Sequence, residues 1–160
     1  MPYYQDSNGG LHYLSDTDIA NGGLALLPSG CSEITDAQAA VLQTPPAPTA
    51  AEVLVTSAQA ALEAGLAIIS TATPALNATY ACDQLSQMDI IAIETSLNAG
   101  KGFPGGSATF GYPDSSGVMH VFTQANFTDF AAALRDYVYA LKSVIAGVLT
   151  TMPGTSTTIA

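Results

Sequence analysis

The segment Thr44-Pro45-Pro46-Ala47-Pro48 constrains this chain more than any other feature. Each proline fixes φ near −65° and lacks a backbone N–H, so neither a helix nor a central strand continues through the segment. Helix-starting capping boxes stand on both sides of it, opening at Thr35 and at Thr49. The sequence therefore predicts a small N-terminal β/helix lobe at 1–43, a stiff Pro-rich linker at 44–48 and a helix and β-hairpin domain at 49–149.

The N-terminal lobe is rich in turn-forming residues. Asn8-Gly9 lies between two short aromatic or apolar pieces, Tyr3-Tyr4-Gln5 and Leu11-His12-Tyr13-Leu14. Because Asn-Gly supplies the positive φ angles that tight hairpin turns require, these pieces predict a β-hairpin. The Thr35 capping box then opens a short helix that ends near Gln43. No internal repeat is evident along the chain.

The second domain mixes helical and extended patterns. We expect the helix opened by Thr49 to run to about Thr71. A third helix follows the N-cap residue Asp83 and ends near Ala99. Its middle, 88–93, is apolar nearly all round, which predicts burial on more than one side. The remaining elements are a β-hairpin over 108–122, a closing helix over 127–148 and an irregular tail over 150–160.

The expected fold class is α+β, with a small N-terminal β-hairpin element, four helices and a C-terminal β-hairpin packed against the last two helices. The closing helix carries the strongest periodic signal. Its apolar residues recur in alternating three- and four-residue steps at Phe127, Phe130/Ala131, Leu134, Val138, Leu141, Ile145 and Val148. Core packing accounts for such a stripe, and the alternative is a homo-oligomer seam through the 127–148 helix. On the polar side, Tyr139 is a candidate contact with a partner.

Composition narrows the range of partners. The chain has 13 acidic residues against three basic ones, Lys101, Arg135 and Lys142, which gives a formal net charge of −10. Nucleic-acid backbones and anionic membranes are bound by clustered cations, so we expect neither as a partner. Charged residues make up only 10% of the chain, and a surface so poor in charge is weakly protected against association. These features favour a protein partner.

Two further features bear on location. The first residues lack the basic and apolar segments of a secretory signal, and no apolar run approaches the roughly 20 residues that span a bilayer. Cys31 and Cys82 have no CxxC spacing, so two free thiols are the favoured interpretation, with a Cys31–Cys82 bridge as the alternative. We therefore expect synthesis in the cytoplasm.

His120 is the strongest candidate for catalysis. It lies in the middle of a predicted strand, with Asp114 in the adjoining turn. This pair would still need a nucleophile or a metal, and Ser115 and Ser116 lack the Gly-x-Ser-x-Gly elbow. Two isolated histidines and two isolated cysteines provide no local ligand cluster, so we expect neither a metal nor a cofactor. A structural strand histidine is favoured, and a small hydrolase using His120 is the alternative.

The order of elements resembles a known family. The aromatic, glycine-rich start Tyr3-Tyr4 … Gly9-Gly10-Leu11-His12-Tyr13 leads to Cys31-Ser32-Glu33-Ile34-Thr35-Asp36 and a short helix. Pro45-Pro46-Ala47-Pro48-Thr49-Ala50-Ala51-Glu52 and an Ala-rich helix follow. This order resembles the small tail-fibre assembly proteins encoded beside tail-fibre genes in tailed phages and prophages. The second half, from Ala81-Cys82-Asp83 through the hairpin to the closing helix, resembles an uncharacterised domain found at the same kind of locus.

The resemblance implies a non-enzymatic tail-fibre assembly chaperone, which binds the C-terminal region of the fibre and assists its folding or trimerisation. The alternative is a structural tail or fibre-tip subunit retained in the virion. These roles place the protein in the bacterial host cytoplasm during assembly or, for the alternative, in the virion tail. Hairpin edges offer unpaired backbone groups to a partner. The candidate partner contacts on the hairpin are therefore Phe110, Tyr112, His120 and Phe122, and Tyr139 on the closing helix is a further candidate.

Overall fold

The computed structural model describes residues 2–160 and confirms the α+β class. Over this range the chain forms five α-helices and eight short strands. Contacts divide it into two compact units, Met1–Ala47 and Pro48–Ala160, with the boundary inside the proline segment. None of the helices in 2–160 combines the length and the apolar character needed to cross a membrane.

The first unit is a three-stranded antiparallel sheet with two helices. In sheet order its strands are β2 (Leu11–Tyr13), β1 (Tyr3–Gln5) and β3 (Ser32–Ile34). Helices α1 (Asp16–Ala20) and α2 (Asp36–Gln43) each begin with a reciprocal capping box. The sequence predicts four helices in the whole chain and misses α1. This helix has only five residues, too few to produce a periodic apolar pattern.

In the second unit, helix α3 (Ala50–Ala64) ends earlier than the sequence predicts. Gly65 ends it with a φ of +86°, and a Cβ at this position would collide with the backbone carbonyl of Tyr80. The position therefore requires glycine. The following residues form strand β4 (Leu66–Ser70), whose apolar side chains are largely buried. The prediction that the helix continues to Thr71 is wrong, because the glycine conformation turns the chain into the sheet.

The C-terminal segment 150–160 is not irregular throughout, which corrects a second prediction. Strand β8 (Ser156–Ile159) pairs in parallel with β4, whose other edge pairs antiparallel with β5 (Ala78–Tyr80). Ile159 is buried, and the Ser70 hydroxyl donates to the Ala160 carbonyl at 3.1 Å. The β-branched residues of β8 suit a strand, but four residues are too few to show a clear alternation.

Helix α5 supplies the core of the second unit. This helix spans Gln124–Ile145. The elements around it are α4 (Gln84–Asn98), β6 (Thr109–Pro113) and β7 (Met119–Thr123). Within the apolar stripe of α5, Phe127, Phe130 and Leu141 are fully buried, and Leu134 is 2% exposed. Core packing thus accounts for the stripe. Val148, at the end of the predicted homo-oligomer seam through 127–148, is 74% exposed, and the seam stays a prediction.

Candidate functional site

The β6–β7 hairpin packs its inner face onto both neighbouring helices. The ring centroid of Phe122 lies 5.5 Å from that of Phe127 and 5.0 Å from that of Phe130, both on α5. On the α4 side, the Tyr112 hydroxyl donates to the Ser86 carbonyl at 3.4 Å. The hairpin is therefore held by an aromatic cluster and does not project freely from the unit.

Three of the predicted partner contacts belong to this cluster. Phe122 is fully buried and Tyr112 is 7% exposed, so neither can touch a partner while the unit is folded. Their predicted role as contacts is wrong, because strand alternation puts them on the face that covers α5. Phe110 is half-buried, with its ring stacked on that of Phe103 at a centroid distance of 5.4 Å.

The outer face of the hairpin is apolar and exposed. On this face Met119 and Val121 are 59% and 62% exposed, and the Met119 side chain reaches the space beside Gly111. Val118, which is 57% exposed, lies in the turn before β7. Among the strands described, β6 and β7 pair only with each other. The hairpin therefore offers an apolar face together with strand edges that no other described strand covers. The aromatic residues predicted as contacts alternate along the strands with the exposed ones, as Phe122 does with Val121.

His120 fastens the hairpin to the segment that precedes β5. Its Nδ1 lies 2.7 Å from the Ala75 carbonyl oxygen, and its Nε2 lies 3.1 Å from Asp114 Oδ2. Both partners are acceptors, so both ring nitrogens must donate, and only the imidazolium cation carries two N–H groups. The ring also meets the Tyr80 ring edge-on at a centroid distance of 5.6 Å. His120 thus connects three parts of the second unit.

The surroundings favour the charged forms of both partners in the His120–Asp114 pair. Burial by itself lowers the pKa of His120, but the bonds to the Ala75 carbonyl and to the Asp114 carboxylate outweigh it and raise the pKa overall. The Ser116 hydroxyl, His120 and two backbone N–H groups hold the pKa of Asp114 well below its usual range. Both shifts favour the charged forms, so the two groups form an ion pair wherever His120 is protonated.

These contacts bear directly on the hydrolase alternative. A general base must offer a ring nitrogen that can accept a proton from the nucleophile. In His120 both nitrogens are engaged with acceptors, and the nearby Ser116 hydroxyl donates to Asp114 Oδ1 at 2.7 Å instead of to His120. The geometry favours a structural role, in which His120 holds the hairpin in place.

The hairpin at Asp114–His120 has a counterpart in the first unit. Tyr4-x-Asp6-Ser7-x-Gly9-x-x-His12 matches Tyr112-x-Asp114-Ser115-x-Gly117-x-x-His120 in residue type and spacing. In both turns the Asp carboxylate accepts the backbone N–H groups two and four residues later at 2.8–2.9 Å. The glycine has a φ of +85° in both, and the histidine Nε2 lies 3.0 or 3.1 Å from the carboxylate. The chain contains an internal repeat, contrary to the sequence analysis.

The repeat extends into the helix that follows each hairpin. Ser15 and Thr123 occupy equivalent positions, and each forms a reciprocal capping box with the residue three positions later. Only five of the 15 aligned positions between 4–18 and 112–126 are identical, which explains why the repeat escapes inspection of the sequence. The signal that could have revealed it is the shared Asp-to-His spacing of six, with glycine three residues after the aspartate.

Tyr139, the last predicted contact, lies on a groove between α4 and α5 and is 74% exposed. The floor of the groove is formed by Ile90, Ala131, Leu134 and Val138. Its rims are Gln87, Ile91 and Glu94 on α4 and Arg135, Tyr139 and Lys142 on α5. The sequence predicts burial of α4 on more than one side, but its outer residues Leu85, Met88 and Ile91 are 60–69% exposed. This apolar face has no cover within the described chain.

The remaining reactive groups form no further cluster. Within 2–160 no three His, Cys, Asp or Glu side chains are grouped so that they could hold a metal ion. Cys31 and Cys82 are free thiols, and burial raises the pKa of Cys82 to about 11. Comparison of the chain with protein-family models, curated proteins and solved structures finds no match.

Proposed function

We propose that this protein is a non-enzymatic assembly chaperone that binds the C-terminal region of a phage tail fibre and assists its folding or trimerisation. The observation that supports a binding role is the outer face of the β6–β7 hairpin, where Met119 and Val121 are exposed on strands that pair with no other described strand. The choice of partner comes from the resemblance of the first half of the chain to tail-fibre assembly proteins and of the second half to an uncharacterised domain found at the same kind of locus.

Such a partner suits the hairpin physically. An unfinished trimeric β-fibre exposes apolar residues and unpaired strand edges until its end is complete. A hairpin can cover them by adding its own strand, with the main chain giving affinity and the side chains giving selectivity. Since His120 and the aromatic cluster already order the hairpin, little conformational entropy is lost when it binds.

The test is coexpression of the full chain with the C-terminal region of the fibre in bacterial cells. We expect a soluble complex, and we expect Val121→Lys to reduce the captured fibre at least tenfold. Val53→Lys is the matched control, because Val53 is 52% exposed on α3 and the change in charge is the same. Thermal melts of both variants check folding. Absence of a complex with the unmodified chain would overturn the proposed function, whereas equal capture by both variants would exclude the hairpin alone.

A structural subunit retained at the fibre tip is the second candidate. The exposed apolar faces on both the hairpin and α4 favour it, because permanent interfaces are larger and more apolar than transient ones. Mass spectrometry of density-banded particles separates the two. A chaperone is absent from finished particles, whereas a tip subunit is present at a fixed copy number per fibre.

A further inference from the structure

The groove between α4 and α5 carries most of the positive charge of this chain on its α5 rim, and within 2–160 Glu94 on the α4 rim is the one acidic residue of its lining. Only three residues of the 160 are basic, and two of them, Arg135 and Lys142, stand on the α5 rim of the groove. The exposed ring of Tyr139 lies between them in sequence. Since the whole chain carries a net charge of −10, an acidic segment is repelled by most of the surface. At the α5 rim of the groove, an acidic segment would meet the cations of Arg135 and Lys142.

The rim opposite is fixed in part. The Gln87 side chain donates from Nε2 to the Cys82 carbonyl at 2.6 Å and accepts from Lys142 Nζ at 3.1 Å. This bridge holds the ammonium group at one end of the groove. At the other end Arg135 pairs only with its exposed neighbour Asp136, at 2.9 Å, and a pair between adjacent exposed side chains is worth little. The guanidinium group can therefore be recruited by an incoming carboxylate.

The dimensions suit a helix more than a small molecule. On each rim the residues follow the spacing i, i+4, i+7, namely Gln87, Ile91 and Glu94 on α4 and Arg135, Tyr139 and Lys142 on α5. Seven residues of helix correspond to about 10.5 Å along the axis, or two turns of a partner helix. The groove volume of about 270 Å³ is near the lower end of the roughly 300–1,000 Å³ usual for small-molecule pockets, so the spacing along the rims is what favours a helix.

We propose that the α4–α5 groove binds a short amphipathic helix of another protein, with apolar side chains seated over Leu134 and Val138 and carboxylates paired with Arg135 and Lys142. Helix-in-groove recognition uses anchors at this spacing. The site is distinct from the outer face of the hairpin, so this proposal stands whether or not the fibre is the partner. Exposed Ile91 and Tyr139 would be covered by the bound helix.

The probe is a fluorescein-labelled amphipathic peptide of about 18 residues, because helices shorter than roughly 12–15 residues are marginal in water. It carries Leu on one face and Glu on the flank that meets α5, and a second peptide has Lys in place of every Glu. Binding to the full chain is followed by fluorescence anisotropy. We expect saturable binding of the acidic peptide, at least tenfold tighter than that of the basic one. Raising ionic strength from about 0.1 to 1 M should weaken it, since the Debye length falls from about 10 to 3 Å.

Variants assign the binding to the groove. Arg135→Glu combined with Lys142→Glu should weaken binding at least tenfold, and Tyr139→Ser should weaken it severalfold. Lys101→Glu is the control, because it removes the third cation of the chain outside the groove lining. Arg135→Gln with Lys142→Gln serves as a milder pair if the charge reversal perturbs folding. The proposal is overturned if the acidic peptide does not bind, if the basic peptide binds as well, or if the groove variants match Lys101→Glu. Sedimentation that shows a dimer dissociating on Tyr139→Ser would also overturn it, because a second copy would then occupy the groove.

Discussion

The two Asp–His hairpins of this chain share a turn and differ in what surrounds them. In both, an aspartate accepts two backbone N–H groups of the turn and a histidine six residues later closes the loop. Among the described residues, the ring of His12 makes one hydrogen bond, to Asp6, whereas the ring of His120 bonds both Asp114 and the Ala75 carbonyl. The turn itself is held by contacts within a few residues. The bond from His120 to the Ala75 carbonyl also ties the second hairpin to a distant segment of its unit.

The residues two positions after each histidine also differ in how deeply they are buried. Leu14 is half-buried in the small first unit, whereas its counterpart Phe122 is fully buried among aromatic rings. Exposure of the His side chain is 32% for His12 and 12% for His120. The same local sequence can therefore form a hairpin that depends mainly on its turn or one that depends on a core. Three pairs of variants test this difference.

The largest effect is expected from Phe122→Ala compared with Leu14→Ala. Removing a fully buried ring leaves a cavity between Phe127 and Phe130, and such a truncation costs about 3–5 kcal/mol of unfolding free energy. Leu14→Ala should cost clearly less, because a half-buried side chain loses less contact area. Urea unfolding followed by circular dichroism measures both. Equal costs would show that the two hairpins have equivalent packing and would remove the distinction.

The next effect concerns the two histidines. His120→Ala removes two hydrogen bonds and should cost about 1–3 kcal/mol, since each bond contributes roughly 0.5–1.5 kcal/mol net. His12→Ala removes one bond at a more exposed position and should cost less than about 1 kcal/mol. The same urea measurement applies, and the partner aspartates Asp6 and Asp114 are left unchanged in both variants. A larger loss for His12→Ala would mean that the local turn, and not the contact with Ala75, dominates.

Local signals in the sequence are enough to predict the elements that depend on them. The capping boxes at Thr35 and Thr49 and the N-cap Asp83 start their helices as predicted, and the turn at Asn8-Gly9 forms the expected hairpin. Each of these features is stabilised by neighbours within a few residues. Sequence patterns at this range therefore specify secondary structure reliably here.

Features that depend on distant partners were not predictable in the same way. Strand β4 forms because β5 and β8 flank it, and the glycine before it lies against the Tyr80 carbonyl. The inward direction of Tyr112 and Phe122 depends on the position of α5, which their alternation alone does not reveal. The groove at Tyr139 requires two helices to meet, so only one of its residues was recognised.

The smallest effect is a dependence of stability on pH that should arise from His120 in the β6–β7 hairpin. The folded-state pKa of His120 is raised above its unfolded value near 6.5, so its stabilisation is complete below about pH 6.5. It declines as the pH rises through the folded-state pKa. The neutral ring keeps one N–H and satisfies one of its two acceptors, so the loss should be smaller than that caused by His120→Ala.

The neighbours of His120 should not contribute to this slope. Asp114, whose pKa is lowered, stays ionised above pH 6 and loses its contribution only when the pH falls through its low folded-state pKa. Burial raises the pKa of Tyr80 above the usual tyrosine range, so that ring stays neutral. We expect the urea midpoint of unfolding to fall with rising pH above about pH 6.5 in the unmodified chain. His120→Gln should reduce this pH dependence, whereas His12→Gln should leave it in place. A slope that persists in His120→Gln would show that the second acceptor does not set the charge of this histidine, and the two hairpins would then differ in packing alone.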